Sequence, residues 1–443
     1  MPSLQGQRVT VMGLGRFGGG LGVAKWLHAQ GARVLVTDMA TAEALEQPLA
    51  QLPNGIETRL GEHVEADFTT GDLVVASPAV SKPWRNPYLN AATKAGVPIT
   101  TEVGLVIDCL PDRTRVVGVT GTAGKSTTSA MLACALEAAG QPVHLGGNIG
   151  GSLLGVEVSP GDFVVLELSS FMLYWLGRSS WSPGTAVLTN LSPNHLDWHE
   201  TFEHYEAAKR AIAEHQRPGD LLLCDRWPEL ATATRVRAGV ALPPLALPGS
   251  HNRTNAAMAF AAAVATLNRH GIEHDRGRLA DAIASFSGLP HRLELVADHA
   301  GVSFYNDSKC TTSEATALAV DALADRTPRD RIHLIAGGAD KGVDLAPIAD
   351  LARTLGSLHT IGATGPSIRD RAAGGRVTND GTLERAFEAA VGRCEPGHVV
   401  LLSPGCASWD QFTNYEARGA AFVGLVHRWV AAHDQRVQPA QAD

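Results

Sequence analysis

Short apolar runs recur along the chain, each closed by glycine or a polar cluster. The first hundred residues carry RVTVMG (8–13), ARVLVTD (32–38) and DLVVAS (72–77), with helical stretches such as GVAKWLHAQG (22–31) between them. Continuous apolar strands alternating with amphipathic segments predict a parallel sheet with crossover helices. The pattern restarts twice, in RVVGVTG, DFVVLELSS and TAVLTNLS (115–192) and then in VSFYNDSK, RIHLIAGG, LHTIGA and HVVLLSPG (302–405). Glycine and proline punctuate the joins at PITTEVG (98–104) and FSGLPHR (286–292). The expectation is an α/β protein of three domains, 1–102, 103–288 and 289–443.

Composition narrows the class. A net charge of −8 provides no basic field for nucleic acid or an anionic lipid surface. The six cysteines include no Cys-x-x-Cys pair, so their spacing suggests neither a disulfide framework nor a zinc site. The longest apolar run, AAMAFAAAVATL (256–267), is too short for a bilayer and reads as a buried helix. No basic start with a long apolar stretch opens the chain. A cytoplasmic protein with reduced thiols is expected.

The chemistry gathers in glycine-rich turns. In GVTGTAGKSTTSAML (118–132) a buried strand meets a helix through a Gly-Lys-Ser turn, so backbone N–H groups at a helix start face a phosphate. Lys125 would reach the terminal phosphates and Ser126 or Thr127 a magnesium ion. The spacing departs from the common phosphate loop, whose first glycine would fall at Val119. A second cluster, GLGRFGGG (13–20), with Asp38 ending the next strand, has the form of a dinucleotide fingerprint. A dehydrogenase reading draws on that motif and little else, since a separate phosphate loop is superfluous to it. Glu167 closes a wholly apolar strand, where a carboxylate is costly unless paired or metal-bound, or else caps a helix. His195, Asp197, His199 and His204 suggest zinc at first sight, but the oxygen-rich surroundings favour magnesium. Lys209, taken alone, reads as a solvated helix lysine.

Together these segments resemble the Mur ligase family, ATP-dependent amide ligases of peptidoglycan synthesis. The family's short loop, Thr-Gly-(Thr/Ser)-x-Gly-Lys-(Ser/Thr), is matched by TGTAGKS (120–126). GGNIGGSLL (146–154), LELSSF (166–171), NLSPNHLD (190–197), AAKRAI (207–212), SHNRTNAAMA (250–259), GLPHRLE (288–294), YNDSKCTT (305–312), GGADKG (337–342) and SPGCASWDQFTNYEARG (403–419) follow in order. The last segments resemble the branch that adds D-glutamate to UDP-N-acetylmuramoyl-L-alanine. Ala123, Asn194 and Met172 depart from residues common in the family: asparagine, aspartate and glutamine.

The resemblance implies an N-terminal Rossmann-like UDP-binding domain, a central P-loop ATPase-type domain with a mostly parallel sheet, and a C-terminal Rossmann-like glutamate-binding domain. It implies that Gly121, Thr122, Ala123, Gly124, Lys125, Ser126 and Thr127 hold the ATP phosphates. Asn252 and Asn255 would contact the adenine side, and Arg292 and Asp307 would contact ATP from the third domain. Two magnesium ions would be held by Ser126, Glu167, His195 and Lys209, the last as a carbamate formed from CO2. Gly15, Arg16, Phe17, Asp38 and Ser77 would face the uridine diphosphate, with Asn148 and His195 nearer the muramoyl group. Glutamate would meet Lys309, Thr311, Lys341, Ser408 and Tyr415. The residues implied to be catalytic are Lys125, His195, Lys209 and Arg292. The implied partners are UDP-N-acetylmuramoyl-L-alanine, D-glutamate and ATP, bound by a monomer with no nucleic-acid or membrane partner. A same-fold ligase adding L-glutamate, or acting on a related UDP-muramoyl precursor, is the nearest alternative; the first-domain glycine motif and SPGCASWDQF argue against a folylpolyglutamate synthase. A catalytically silent relative should have lost Lys125, Glu167 or Lys209, and all three are present.

Overall fold

The computed structural model describes residues 3–15, 19–224, 227, 234–235, 242–342 and 344–437. It contains three sheets. The first is built from β1 (Arg8–Met12), β2 (Arg33–Asp38), β3 (Glu57–Leu60), β4 (Leu73–Ala76) and β5 (Ile99–Thr100) in the order β3-β2-β1-β4-β5, with every pairing parallel. The second takes β6 (Val116–Thr120), β7 (Val143–Gly147), β8 (Phe163–Glu167), β9 (Thr185–Leu188), β10 (Leu221–Leu223) and β11 (Thr234–Arg235) in the order β11-β10-β9-β6-β8-β7, again all parallel. The third orders β12 (Glu294–His299), β13 (Val302–Asn306), β14 (Ile332–Gly337), β15 (Ser357–Ile361), β16 (Val377–Gly381) and β17 (Val399–Leu402) as β12-β13-β17-β14-β15-β16. Among the described residues its only antiparallel pairing is β12 with β13.

By packing the chain forms two compact units. One, residues 1–242 and 255–283, holds the first two sheets; the other, 243–254 and 284–443, holds the third.

Every apolar run read as a strand contains one. All five residues of β6 and of β8 are buried, as helices on both faces of a parallel sheet require. The strands that pattern reading passed over are mostly polar or exposed. β3 is ETRL and β16 is VTNDG, each at the edge of its sheet, and β12 alternates between half-buried and exposed positions. Edge strands pack on few neighbours and so carry little hydrophobic signal. Helix starts follow local chemistry. The side chains of Asn86, Thr101, Ser169, Thr201, Thr312 and Thr382 each accept a backbone N–H from the first turn that follows. The alanine-rich run lies in the helix Ser250–Arg269, where Ala256, Ala259, Phe260, Ala262, Ala263 and Leu267 are buried.

A buried ion cluster ties the second sheet together at the amino ends of its strands. Asp220, just before β10, accepts from Arg113 Nη1 at 2.9 Å, Arg269 Nη2 at 2.7 Å and Arg217 N at 2.6 Å. Its side chain is 1% exposed. Deleting the carboxylate strands two guanidinium groups in a poorly solvated place. Asp220→Ala should therefore cost about 3 kcal/mol or more of stability, read as a lowered melting temperature in calorimetry, without altering the sites at the opposite strand ends.

Candidate functional site

In each sheet the chain reverses direction of winding beside a central strand, and ligands of such sheets bind at the carboxyl ends of the strands there. The phosphate loop follows β6, the centre of the second sheet. Gly121 and Gly124 lie at φ +151° and +79°. A Cβ on Gly121 would fall 1.9 Å from Thr189 Oγ1, and one on Gly124 would fall 2.3 Å from Asn255 Oδ1. Both positions demand glycine, so the unusual spacing follows from the loop's packing. The helix Lys125–Ala138 begins at once, aiming its first N–H groups at the loop.

Residue 123 is held through its main chain. Ala123 N donates to Asn190 Oδ1 at 2.9 Å, while Asn190 Nδ2 and Thr189 Oγ1 donate to Ala123 O at 3.0 and 2.6 Å. Thr122 N donates to Asn190 O at 3.0 Å, and Thr122 Oγ1 meets Ser192 O and the Tyr205 hydroxyl, each at 3.0 Å. The segment 189–192 is thus a clamp on the loop. An alanine at 123 therefore leaves the main-chain contacts of the loop intact.

Lys209 is not a surface lysine. It is 1% exposed, and its Nζ donates to Thr120 Oγ1 at 3.1 Å and Gly121 O at 2.8 Å, over the Tyr205 ring. Burial, reinforced by the Lys125 ammonium and opposed by Glu167, brings its pKa down to about 6, so the amine is neutral at physiological pH. Lys125 Nζ donates to Gly121 O and Thr122 O at 3.1 and 3.0 Å. Glu167, the last residue of β8, is 1% exposed. Its Oε1 accepts from Asn148 Nδ2 at 3.0 Å; its Oε2 is buried and has no hydrogen-bond partner among the described residues. Glu167 does not cap the next helix, because Ser169 does. An orphaned, buried carboxylate oxygen near a buried neutral amine is a donor set suited to a hard cation.

The histidines divide. His199 is buried, bonded through Nε2 to Ser170 Oγ and through Nδ1 to His204, and burial takes its pKa down to about 3. His204 packs against Trp84, Tyr174 and Trp198, and His199 against Trp198, so both serve packing. His195 stays exposed on left-handed backbone (φ +53°), its N–H taken by Asn194 Oδ1. Partial desolvation lowers its pKa; Asp197 opposes this, and Lys125 and Lys209 add to it.

In the first sheet Asp38 closes the glycine turn. Its Oδ2 accepts from Leu14 N and Gly15 N at 2.9 and 3.2 Å, and its Oδ1 accepts from Ala40 N. A Cβ at Gly20 would lie 2.0 Å from Gly13 O, so that glycine serves close helix–strand packing. Ser77 follows β4, with Cβ 3.3 Å from where a Cβ of Gly13 would stand, and the two residues flank the reversal between β1 and β4. Arg16 and Phe17 lie outside the described residues.

The second unit gathers its motifs around one buried cation. Arg418, 1% exposed, donates to Ser308 Oγ and Ser308 O at 3.0 and 2.8 Å, and to Cys406 O and Ala407 O at 3.1 Å each. Ala407 O also accepts from Ala339 N at 2.9 Å. The loops 307–312, 338–342 and 403–415 therefore share one brace at the carboxyl edge of the third sheet. They carry Lys309 over the Tyr415 ring at 5.4 Å, Lys341 over Trp409 at 4.3 Å, the half-buried Thr311 and the buried Ser408. Asp307 accepts from Leu293 N and Ser403 Oγ, and burial lifts its pKa to about 6. The Arg292 Nε is buried with no partner among the described residues. Asn252, buried, donates to Pro248 O, and Asn255 lies one turn further along the same helix.

Sequence reasoning did not single out Asn190, Thr189, Tyr205, Thr120 or Arg418. Thr120, Thr189, Asn190 and Arg418 lie inside recognised segments, but nothing local distinguishes a brace from its neighbours.

Known proteins resemble this chain over nearly its whole length. Three family models match in chain order: the MurD-like N-terminal domain of Mur ligases over residues 7–101, the Mur ligase middle domain over 119–241, and the Mur ligase glutamate ligase domain over 291–406. The UDP-N-acetylmuramoylalanine--D-glutamate ligase of Acidobacterium capsulatum is 37% identical, covering 97% of this chain and 98% of the relative. The like-named enzyme of Koribacter versatilis is 35% identical, covering 96% and 98%. Among solved structures, UDP-N-acetylmuramate-alanine ligase MurC of Thermotoga maritima shares the fold with a TM-score of 0.58 at 19% identity, covering 96% of this chain and all of that one. With three domains matched in order and such relatives alike over nearly its whole length, the chain belongs to the Mur ligase family.

Proposed function

We propose that this protein is an ATP-dependent, ADP-forming ligase that joins the amine of D-glutamate to the alanyl carboxylate of UDP-N-acetylmuramoyl-L-alanine, in cytoplasmic peptidoglycan precursor synthesis. The single observation that carries the ligase chemistry is the buried, neutral Lys209 amine on the phosphate loop beside the unpartnered oxygen of Glu167. The choice of D-glutamate is supported by the relatives, which carry that name over almost their full length. The division 1–102, 103–288 and 289–443 then assigns the uridine diphosphate, ATP and glutamate to successive domains.

A carboxylate is a poor electrophile: it is anionic and has no good leaving group. Transfer of the γ-phosphoryl group makes an acyl phosphate, the glutamate amine attacks its carbonyl carbon, and phosphate departs. The loop N–H groups and Lys125 orient the phosphates and offset their charge. Magnesium, held by Ser126, Glu167, His195 and Lys209 as a carbamate, would supply the remaining positive charge at the phosphoryl oxygens. Lys209 suits that modification. A neutral amine has two N–H bonds, and Thr120 Oγ1 and Gly121 O take both. The lone pair is left to attack CO2, with one proton lost to solvent and an anionic oxygen ligand gained. Asn190 fixes the loop so that these groups start in position. Lys309, Thr311, Lys341, Ser408 and Tyr415 would hold glutamate, and Asn252, Asn255, Arg292 and Asp307 would contact the nucleotide. Gly15, Arg16, Phe17, Asp38, Ser77 and Asn148 would face the UDP-sugar.

Phosphate release from ATP should require UDP-N-acetylmuramoyl-L-alanine together with D-glutamate; release with L-glutamate alone would reassign the substrate, and release with neither would reject the function. Lys209→Ala should abolish turnover and recover part of it with added short carboxylates, whereas near-normal turnover without them would remove Lys209 from the metal site. Asn190→Ala should weaken ATP binding about tenfold, the equivalent of about one lost hydrogen bond, in a fluorescent-nucleotide titration with little change in melting temperature.

A further inference from the structure

The amino edge of the third sheet, opposite the loops just described, carries a cluster that this function does not use. His333 is the second residue of β14, and His398 immediately precedes β17, which pairs with β14 in register Ile332 to Val399. Cys394 is brought beside them by a tight turn. His398 N donates to Glu395 O at 3.0 Å, with Pro396 next in the turn and Gly397 at φ +90° after it. One nitrogen of each histidine and the Cys394 sulfur lie within 4.8 Å of one another. His333 Nε2 and His398 Nδ1 are 2.9 Å apart.

Outer contacts decide which way these rings point their protons. Arg393 Nη1 can only donate, so His359 Nε2 accepts from it at 3.3 Å. The proton of His359 therefore sits on Nδ1, which donates to Asp380 Oδ2 at 3.0 Å. Ser357 Oγ, 2.8 Å from His359 Nε2, donates to it, and accepts from His333 Nδ1 at 2.7 Å. The lone pair of His333 then lies on Nε2, facing His398 and Cys394. A carboxylate, a histidine and a serine thus orient a further histidine from behind, the arrangement that orients metal-bound imidazole. Burial and the neighbouring His398 and His359 hold the His333 pKa down to about 4, so the ring is neutral.

We propose that His333, Cys394 and His398 form a binding site for a divalent transition metal of the zinc class, with solvent as the fourth ligand. One thiolate and two imidazoles suit such an ion and not magnesium. Zinc takes nitrogen at about 2.0–2.1 Å and sulfur at about 2.3 Å, so ligand atoms stand roughly 3.3–3.6 Å apart, within reach of small side-chain rotations here. Cys394 and His398 are only partly buried, which leaves an entry path. On binding, the Cys394 thiol, which burial pushes up to about 12, loses its proton to solvent as the metal–sulfur bond forms. His398 exchanges its Nδ1 proton for one on Nε2. A search for paired cysteines overlooks such a site, because its ligands come from a strand and a turn 61 residues apart (394 − 333).

The full-length protein, stripped with chelator, should bind Co2+ with a near-ultraviolet thiolate-to-cobalt charge-transfer band and the visible bands of a tetrahedral ion. Cys394→Ser should lose the charge-transfer band, and His398→Gln should weaken Zn2+ about tenfold or more in competition with a chromophoric chelator. Zn2+ should raise the melting temperature of the wild type and not of either variant, while both variants keep wild-type circular dichroism and ligase turnover in magnesium. The thiolate band separates this site from the oxygen-rich group around Glu167. A wild type without that band, a band that survives Cys394→Ser, or a Zn2+ affinity unchanged in His398→Gln would each overturn the proposal.

Discussion

The contact on which the site depends is the one between Lys209 Nζ and the carbonyl of Gly121. An ammonium enclosed there would be costly, and burial resolves this by holding the amine neutral. That single displacement turns a side chain usually met as a point charge into a neutral amine, the form that the proposed carbamate requires. The same contact fixes the strand–loop junction, since Thr120 Oγ1 shares the amine. Tyr205, from the helix that carries Lys209, binds Thr122 in the loop itself. Loop, helix and strand end are therefore one rigid assembly, which is what positioning a triphosphate requires.

The second unit solves the same problem differently. There the loops come from β13, β14 and β17, distant in sequence and adjacent in the sheet, and no single helix start gathers them. Arg418 does so from inside, its planar fork satisfying four carbonyl and hydroxyl contacts. Burial lowers its pKa to about 10, still far above physiological pH, so the brace stays charged. The two lysines, Lys309 and Lys341, rest on aromatic faces, which hold cationic groups in place without neutralising them.

Much of the site was legible in the chain because glycine, lysine and aspartate do their work at fixed offsets from a strand. The phosphate loop is local, and its two obligatory glycines announce it. What pattern reading assigned wrongly was environment. Lys209 reads as solvated because helical spacing says nothing of what packs on a face, yet it is 1% exposed. The polar edge strands β3 and β16 escaped because an edge buries too little to need apolar alternation.

By itself, then, the sequence determined three parallel-type sheets, the order of their motifs and the chemistry each turn offers, since these rest on local periodicity and on glycines that no other residue can replace. The tertiary structure alone decided which polar groups are buried and which residues meet: Asn190 with Ala123, Arg418 with three loops, His333 with Cys394 and His398. Burial and long-range contact set pKa values and proton positions, and both depend on which distant strand becomes a neighbour.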